Sequence, residues 1–185
     1  MNTITIPPMV TIDTARLRLR EFTLADATAV FQMMRQTAVF RYADWEPPLS
    51  SYDTEEMIQR YLAWQFDAPR LHLVLAMTLP VENGKLIGTI GLNTTNEATA
   101  EAELGFNLDP DYWRRGLATE AAQAMLDYGM ATAGWRRIFA TCDVDNKASE
   151  KVLRKLGMQE EGVLARHKLR RGVWRDSLLF AISRS

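Results

Sequence analysis

From Glu103 to Glu120 the chain reads Glu103-Leu104-Gly105-Phe106-Asn107-Leu108-Asp109-Pro110-Asp111-Tyr112-Trp113-Arg114-Arg115-Gly116-Leu117-Ala118-Thr119-Glu120, an apolar stretch that passes through a loop into the start of a helix. Gly116 and the small Ala118 let other backbone approach closely. The unpaired N–H groups of the first turn, from Leu117 to Thr119, lie at the positive end of the helix dipole and form an anion site suited to a pyrophosphate. Arg114 and Arg115 reinforce it with charge. The spacing is neither G-x-G-x-x-G nor G-x-x-x-x-G-K-[ST], so a dinucleotide or nucleoside-triphosphate fold is not indicated. Taken alone, a glycine and an alanine at a helix start also serve as plain structure. A second polar run, Asp145-Asn146-Lys147-Ala148-Ser149-Glu150-Lys151-Val152-Leu153-Arg154-Lys155-Leu156-Gly157-Met158, follows the next apolar segment.

These runs need elements to hold them. Arg16-Leu17-Arg18-Leu19-Arg20 alternates with period two, which predicts a half-buried strand. Thr23 with Asp26 has the shape of a helix cap ahead of Val30, Phe31 and Met34, and Asp53 with Glu56 repeats the signal ahead of Met57, Ile58, Tyr61 and Leu62. Between them lies a rigid aromatic and acidic loop, Tyr42-Ala43-Asp44-Trp45-Glu46-Pro47-Pro48. Leu71 to Met77 and Leu86 to Leu92 flank Asn83-Gly84 and predict a hairpin. Ala102 to Leu108 predicts a strand stopped at Asp109-Pro110, and Leu117 to Ala133 a long helix closed by Gly134. Arg137 to Val144 predicts a strand, and Lys147 to Leu156 a helix capped by Gly157. Val163 to Leu169 and Val173 to Ile182 predict a terminal hairpin around Arg170-Arg171-Gly172. The expected architecture is one α/β (α+β) domain over residues 1–185, with a mixed sheet of about seven strands and about four helices.

Composition narrows the function. The chain has 185 residues, 22 Lys plus Arg against 23 Asp plus Glu, one cysteine and two histidines. Its balance of charge lacks the basic footprint of a nucleic-acid binder, and no apolar run approaches the roughly 20 residues of a membrane span. Met1 to Val10 has neither the charge nor the apolar stretch of a secretory signal, so a cytoplasmic protein is expected. Cys142 has no second cysteine to pair with, and a structural metal site is not expected. The balance is uneven along the chain: residues 1–110 hold 8 basic and 14 acidic side chains, residues 111–185 hold 14 and 9.

Together, Tyr112 to Ala121 and Asn146 to Met158 resemble the GNAT acetyltransferases, and within them the RimJ/RimL type. There a Tyr-Trp-x-x-Gly-x-Ala-Thr-Glu-Ala loop precedes an Asn-x-x-Ser and a Lys-x-Gly-hydrophobic turn. Thr14 to Arg20 and Gly172-x-Trp174-x-Asp176 extend the likeness over nearly the whole chain. The resemblance implies a GNAT fold and acetyl-coenzyme A as donor, held where two adjacent parallel strands splay apart. It places Asn107 and Leu108 at the pantetheine and acetyl group, Arg114, Arg115, Gly116, Leu117, Ala118 and Thr119 at the pyrophosphate, and Asn146 nearby. It makes Glu103 the candidate base, the Leu108 N–H the oxyanion donor, and Ser149 the donor to the leaving thiolate. Where many members carry a tyrosine acid, this chain has Leu153. Lys168 stands where RimL-like members carry a carboxylate.

The acceptor is expected to be a primary amine, first a protein N-terminal amine and alternatively a polyamine or aminoglycoside. A non-catalytic acyl-coenzyme A sensor is the competing class, and monomer and homodimer both stay open. Trp45 and Tyr42 are candidate walls of the acceptor site, with His167 a further candidate. Cys142 reads as inert core, and the basic cluster Arg166, Lys168, Arg170, Arg171 and Arg175 as a solvated face or a contact to the acidic half.

Overall fold

The computed structural model describes residues 4–43 and 45–183. Residues 1–3, at the start of the segment read for a signal, and Asp44 of the aromatic loop lie outside the described residues.

Strand β1 (Thr11–Asp13) is too short to show in the sequence pattern, and β2 (Arg18–Arg20) begins two residues later than its alternation predicts. Leu17 and Leu19 are buried as expected. Arg16 leaves the ladder to grip a distant helix, as described below. Thr23 and Asp26 form a capping box around one 3-10 turn, after which α1 (Ala27–Met34) and the short α2 (Thr37–Phe40) follow. Helix α3 (Ser51–Trp64) starts earlier than Asp53-x-x-Glu56 suggests. Its cap is Ser50, and Asp53 is the third helical residue, accepting from the Ser50 N–H at 3.1 Å.

The hairpin of β3 (His72–Leu79) and β4 (Lys85–Asn96) turns through Asn83 (φ 55°) and Gly84 (φ 73°), the left-handed values that residue pair favours. Then come β5 (Glu101–Leu108), α4 (Leu117–Tyr128), β6 (Arg137–Asp143), α5 (Lys147–Lys155), β7 (Gln159–Arg170) and β8 (Val173–Ser183). The expected long helix therefore ends at Tyr128, and its remainder, Gly129–Ala133, winds wider as a π-type turn before Gly134 (φ 94°) stops it.

Among the described residues eight strands form one sheet in the order β1-β2-β3-β4-β5-β6-β8-β7, with β5 and β6 parallel neighbours. One face carries the main core, where Leu75, Ile90 and Leu104 meet Ala121, Met125 and Leu153 of α4 and α5. On the other face Phe22, Val30 and Ile58 join Ala76 and Leu86 beneath α1 and α3. Burying both faces of a sheet this way gives a three-layer α/β molecule.

Candidate active site

Strands β5 and β6 pair only at Glu101–Arg137, Ala102–Ile138 and Glu103–Phe139. Beyond that point β5 stays laddered to β4 as far as Leu108, and β6 to β8 as far as Asp143, so the two part and leave a gap. Ladder parity decides which backbone groups enter it. The Asp109 N–H donates to the Ile87 carbonyl on the β4 side, and the Ala100 carbonyl accepts from the Arg136 N–H on the β6 side, both at 2.8 Å. Antiparallel alternation then aims the polar groups of Gly105 and Asn107 at β4, and those of Leu104, Phe106 and Leu108 at the gap. The backbone of Leu108 thus faces the gap. Asn107 does not: its backbone is taken by the ladder and its side chain lies on the opposite face. Trp113, to which the sequence reading gives no role, donates its indole N–H to the Leu108 carbonyl at 2.7 Å. The Leu108 N–H remains as the donor aimed into the gap.

The loop from β5 reaches α4 through two left-handed residues, Arg114 (φ 61°) and Gly116 (φ 78°). The first helical bond runs from the Glu120 N–H to the Gly116 carbonyl, 3.0 Å, so the N–H groups of Leu117, Ala118 and Thr119 have no partner within the helix. The β1–β2 turn braces this loop from outside. Glu120 accepts from the Thr14 hydroxyl at 2.6 Å, the Arg16 N–H at 2.8 Å and the Arg16 guanidinium at 2.7 Å. Arg16 also donates to the Arg115 carbonyl at 2.8 Å. Burial pushes the Glu120 carboxyl up, but Thr14 and Arg16 outweigh it and hold it below the usual range. The two arginines differ: Arg115 donates to the Asp111 carbonyl and lies 5.0 Å over the Tyr112 ring. Arg114 is exposed and makes no side-chain bond among the described residues.

On the α1/α3 face a cleft of about 390 Å³ has walls of Met34, Trp45, Met57 and Tyr61 and a floor of Thr89 and Asn107. The Asn107 amide N–H donates to the Thr89 hydroxyl at 3.3 Å, and its amide oxygen makes no hydrogen bond among the described residues. Glu103 lies on this face too, four residues back along β5, where its carboxylate accepts from the Thr141 hydroxyl at 3.0 Å. It does not line the cleft, and it pairs with Thr141 where an arginine is the ordinary partner of such a strand charge.

Asn146 is the cap of α5, accepting from the Ser149 N–H at 3.2 Å, so the capping role belongs to Asn146 and the Ser149 hydroxyl is left free of hydrogen bonds among the described residues. Leu153 is core, 1% exposed. Tyr42 is not brought to the cleft; its ring is covered by the guanidinium groups of Arg41 and Arg170 at 5.4 and 5.5 Å. His167 is also elsewhere, exposed on a bulge of β7 that Asp176 pins by accepting from the Arg166 N–H at 2.8 Å. The basic cluster is partly paired: Arg175 and Arg170 hold Asp143 at 3.0 and 3.2 Å.

Burial pushes the Cys142 thiol up to about 11. At pH 8 about one molecule in a thousand carries the thiolate. Alkylation by iodoacetamide is expected only after unfolding, and rapid labelling of the folded chain would show that this packing is wrong.

Gly88 sits opposite Leu108 in the ladder. A methyl group there would lie 2.5 Å from the Asn107 carbonyl oxygen and 3.3 Å from the Leu108 side chain. The Met77 terminus, also at 2.5 Å, can swing away, but the Asn107 backbone cannot. Gly88→Ala is therefore expected to displace the strand end and lower turnover about tenfold. Unaltered kinetics would detach this strand end from the site.

Residues 16–159 match the family described as the acetyltransferase (GNAT) domain. An uncharacterized N-acetyltransferase of Bacillus subtilis, YoaA, is 32% identical over 92% of this chain and 95% of its own length. The spermidine N(1)-acetyltransferase of Escherichia coli is 25% identical over 90% and 85%. The crystal structure of a GNAT-family acetyltransferase from Bacillus anthracis superposes with a TM-score of 0.81 at 28% identity, covering 94% of this chain and 98% of that one.

Proposed function

The chain belongs to the GNAT family of N-acetyltransferases, and from that premise we propose that it moves the acetyl group of acetyl-coenzyme A directly to a primary amine entering through the cleft at Trp45. One observation carries this reading. The backbone N–H aimed into the strand gap, on Leu108, and the amide that floors the cleft, on Asn107, belong to adjacent residues. A donor in the gap and an acceptor in the cleft therefore meet at one strand end.

The residues fit coenzyme A. The unpaired N–H groups from Leu117 to Thr119, with the free charge of Arg114, suit its pyrophosphate, and the open edge of β5 suits its pantetheine amides. Asn146 stands across the gap. Chemically, the amine must lose a proton, its nitrogen must bond to the thioester carbon, and the carbon–sulfur bond must break with a proton delivered to the thiolate. The Leu108 N–H is assigned to the oxyanion. Glu103 takes the amine proton through water, since its carboxylate lies outside the cleft. Ser149, with its uncommitted hydroxyl on the first turn of α5, serves the thiolate.

For the acceptor, the protein N-terminal amine stands first, and a polyamine or aminoglycoside is the alternative, the polyamine supported by the relative named a spermidine N(1)-acetyltransferase. The reading includes a cytoplasmic location; among the described residues no helix is long and apolar enough to cross a membrane. Purified protein incubated with acetyl-coenzyme A and a panel of peptides, polyamines and aminoglycosides should release free thiol. Tight cofactor binding without release on any acceptor would favour the sensor class, and neither binding nor release would remove the reading.

A further inference from the structure

The geometry points to the chemical class of the acceptor: a primary amine borne on a carbon skeleton that carries a single aromatic or thioether-sized apolar group. The inference rests on the transfer proposed above.

The walls come first. Trp45, Tyr61, Met34 and Met57 surround the cleft, and its volume of about 390 Å³ holds a compact organic group. Aromatic faces and polarizable thioethers gain most from an apolar group that shares their shape and excludes water.

The polar groups are few and placed at the ends. On the floor the Asn107 oxygen makes no hydrogen bond among the described residues and can accept an ammonium N–H, while the amide nitrogen is engaged by Thr89. At the mouth Glu46 is exposed and makes no hydrogen bond or ion pair among the described residues. Asp53 is differently occupied. It accepts from the Leu49 N–H at 2.7 Å and the Ser50 N–H at 3.1 Å, and those bonds hold its carboxyl below the usual range. Neutral N–H donors leave that carboxylate charged, so Glu46 and Asp53 both favour a cation at a cleft whose lining holds no basic side chain.

A polyamine carries no single apolar group of that size, so the walls of Trp45, Tyr61, Met34 and Met57 gain less from it.

Two sources supply this chemistry: a free arylalkylamine, and the first residue of a peptide that begins with a large apolar side chain. The test measures kcat/KM by thiol release for 2-phenylethylamine, a peptide beginning with Met, the same peptide beginning with Gly, and spermidine. The better of the two apolar amines should exceed the Gly peptide and spermidine by about tenfold or more. Whichever of them leads identifies the source. Trp45→Ala should erase most of that ratio and Glu46→Gln should raise KM for the leading amine, with the KM for acetyl-coenzyme A reporting whether each variant is folded. Spermidine or the Gly peptide level with or ahead of both apolar amines overturns the inference while acetyl transfer stands. Binding of acetyl-coenzyme A by calorimetry with no thiol release on any acceptor overturns both.

Discussion

Exchange of Glu103 for glutamine is expected to lower kcat about a hundredfold while affinity for acetyl-coenzyme A changes little, because general bases contribute about 10²–10⁴ and a base acting through water belongs at the lower end. The geometry separates the two effects. Glu103 stands at the last residue pair that holds β5 to β6, on the face that carries the cleft of Trp45, and it touches no part of the α4 turn proposed for the pyrophosphate. Glutamine keeps an oxygen to accept from Thr141, so the substitution removes basicity and leaves the local bonding. Stopped assays at saturating acetyl-coenzyme A, with calorimetric binding alongside, measure the split. A kcat equal to that of the parent chain would take Glu103 out of the mechanism.

The largest loss of stability is expected at a different place, beneath the N-terminal segment. Arg70 and Glu21, 4% and 5% exposed, pair at 2.9 Å and are fully hydrogen-bonded. Arg70 also donates to the carbonyls of Pro7 and His72, and Glu21 accepts from the Val10 N–H and the Gln65 amide. Arg70→Met would leave a buried carboxylate without its cation, which costs about 3–5 kcal/mol. The loss depends on pH with a definite sign. Burial already raises the Glu21 carboxyl above its ordinary value, and Arg70 offsets part of that rise. A group raised in the folded state favours folding less as pH climbs from its unfolded value through its folded one. Without Arg70 the rise is larger, so the deficit should be greatest near neutral pH and shrink on acidification, when Glu21 takes up a proton. Urea unfolding at pH 7.5 and pH 5 reads this directly. A loss below about 1 kcal/mol, or one equal at both pH values, would contradict a buried charge pair. Replacing both partners, Glu21→Leu with Arg70→Met, should recover part of the stability, since no charge is then stranded.

Much of this molecule was legible in the sequence because the signals are local. Period-two alternation exposed Leu17 and Leu19 as a buried strand face, Asn83-Gly84 marked a turn, and Gly134 and Gly157 marked helix ends, each through a preference that acts within a few residues. Misread boundaries have local competitors: Ser50 outbid Asp53 as a cap, and the π-type turn ended α4 before Ala133. The three residues of β1 and the four of α2 carry too little periodicity to read.

The candidate site divides along the same line. The α4 turn was readable, since the glycine, the small residue and the free N–H groups are all contiguous. Asn107 was misplaced because which neighbour a strand residue bonds is settled by ladder parity, and parity depends on the partner strand. Trp113 was passed over because nothing in its neighbourhood announces that it will hold the Leu108 carbonyl. Tyr42 and Trp45 are three residues apart in one loop, yet only Trp45 lines the cleft, the other ring being taken by arginines, one of them from a hairpin over a hundred positions away.

The sequence by itself determined the family, the layered class and the glycine-led turn that opens α4, all properties of residues close together along the chain. Only the tertiary structure decided that β5 and β6 part after Glu103, that Arg16 reaches Glu120 and the Arg115 carbonyl to brace the turn, and that Leu108 faces the gap while Asn107 faces the cleft. Those arrangements follow from which strands pair and in what register. Pairing of that kind balances the entropy of closing long loops against burial spread over the whole core, a sum to which no short run of residues holds the answer.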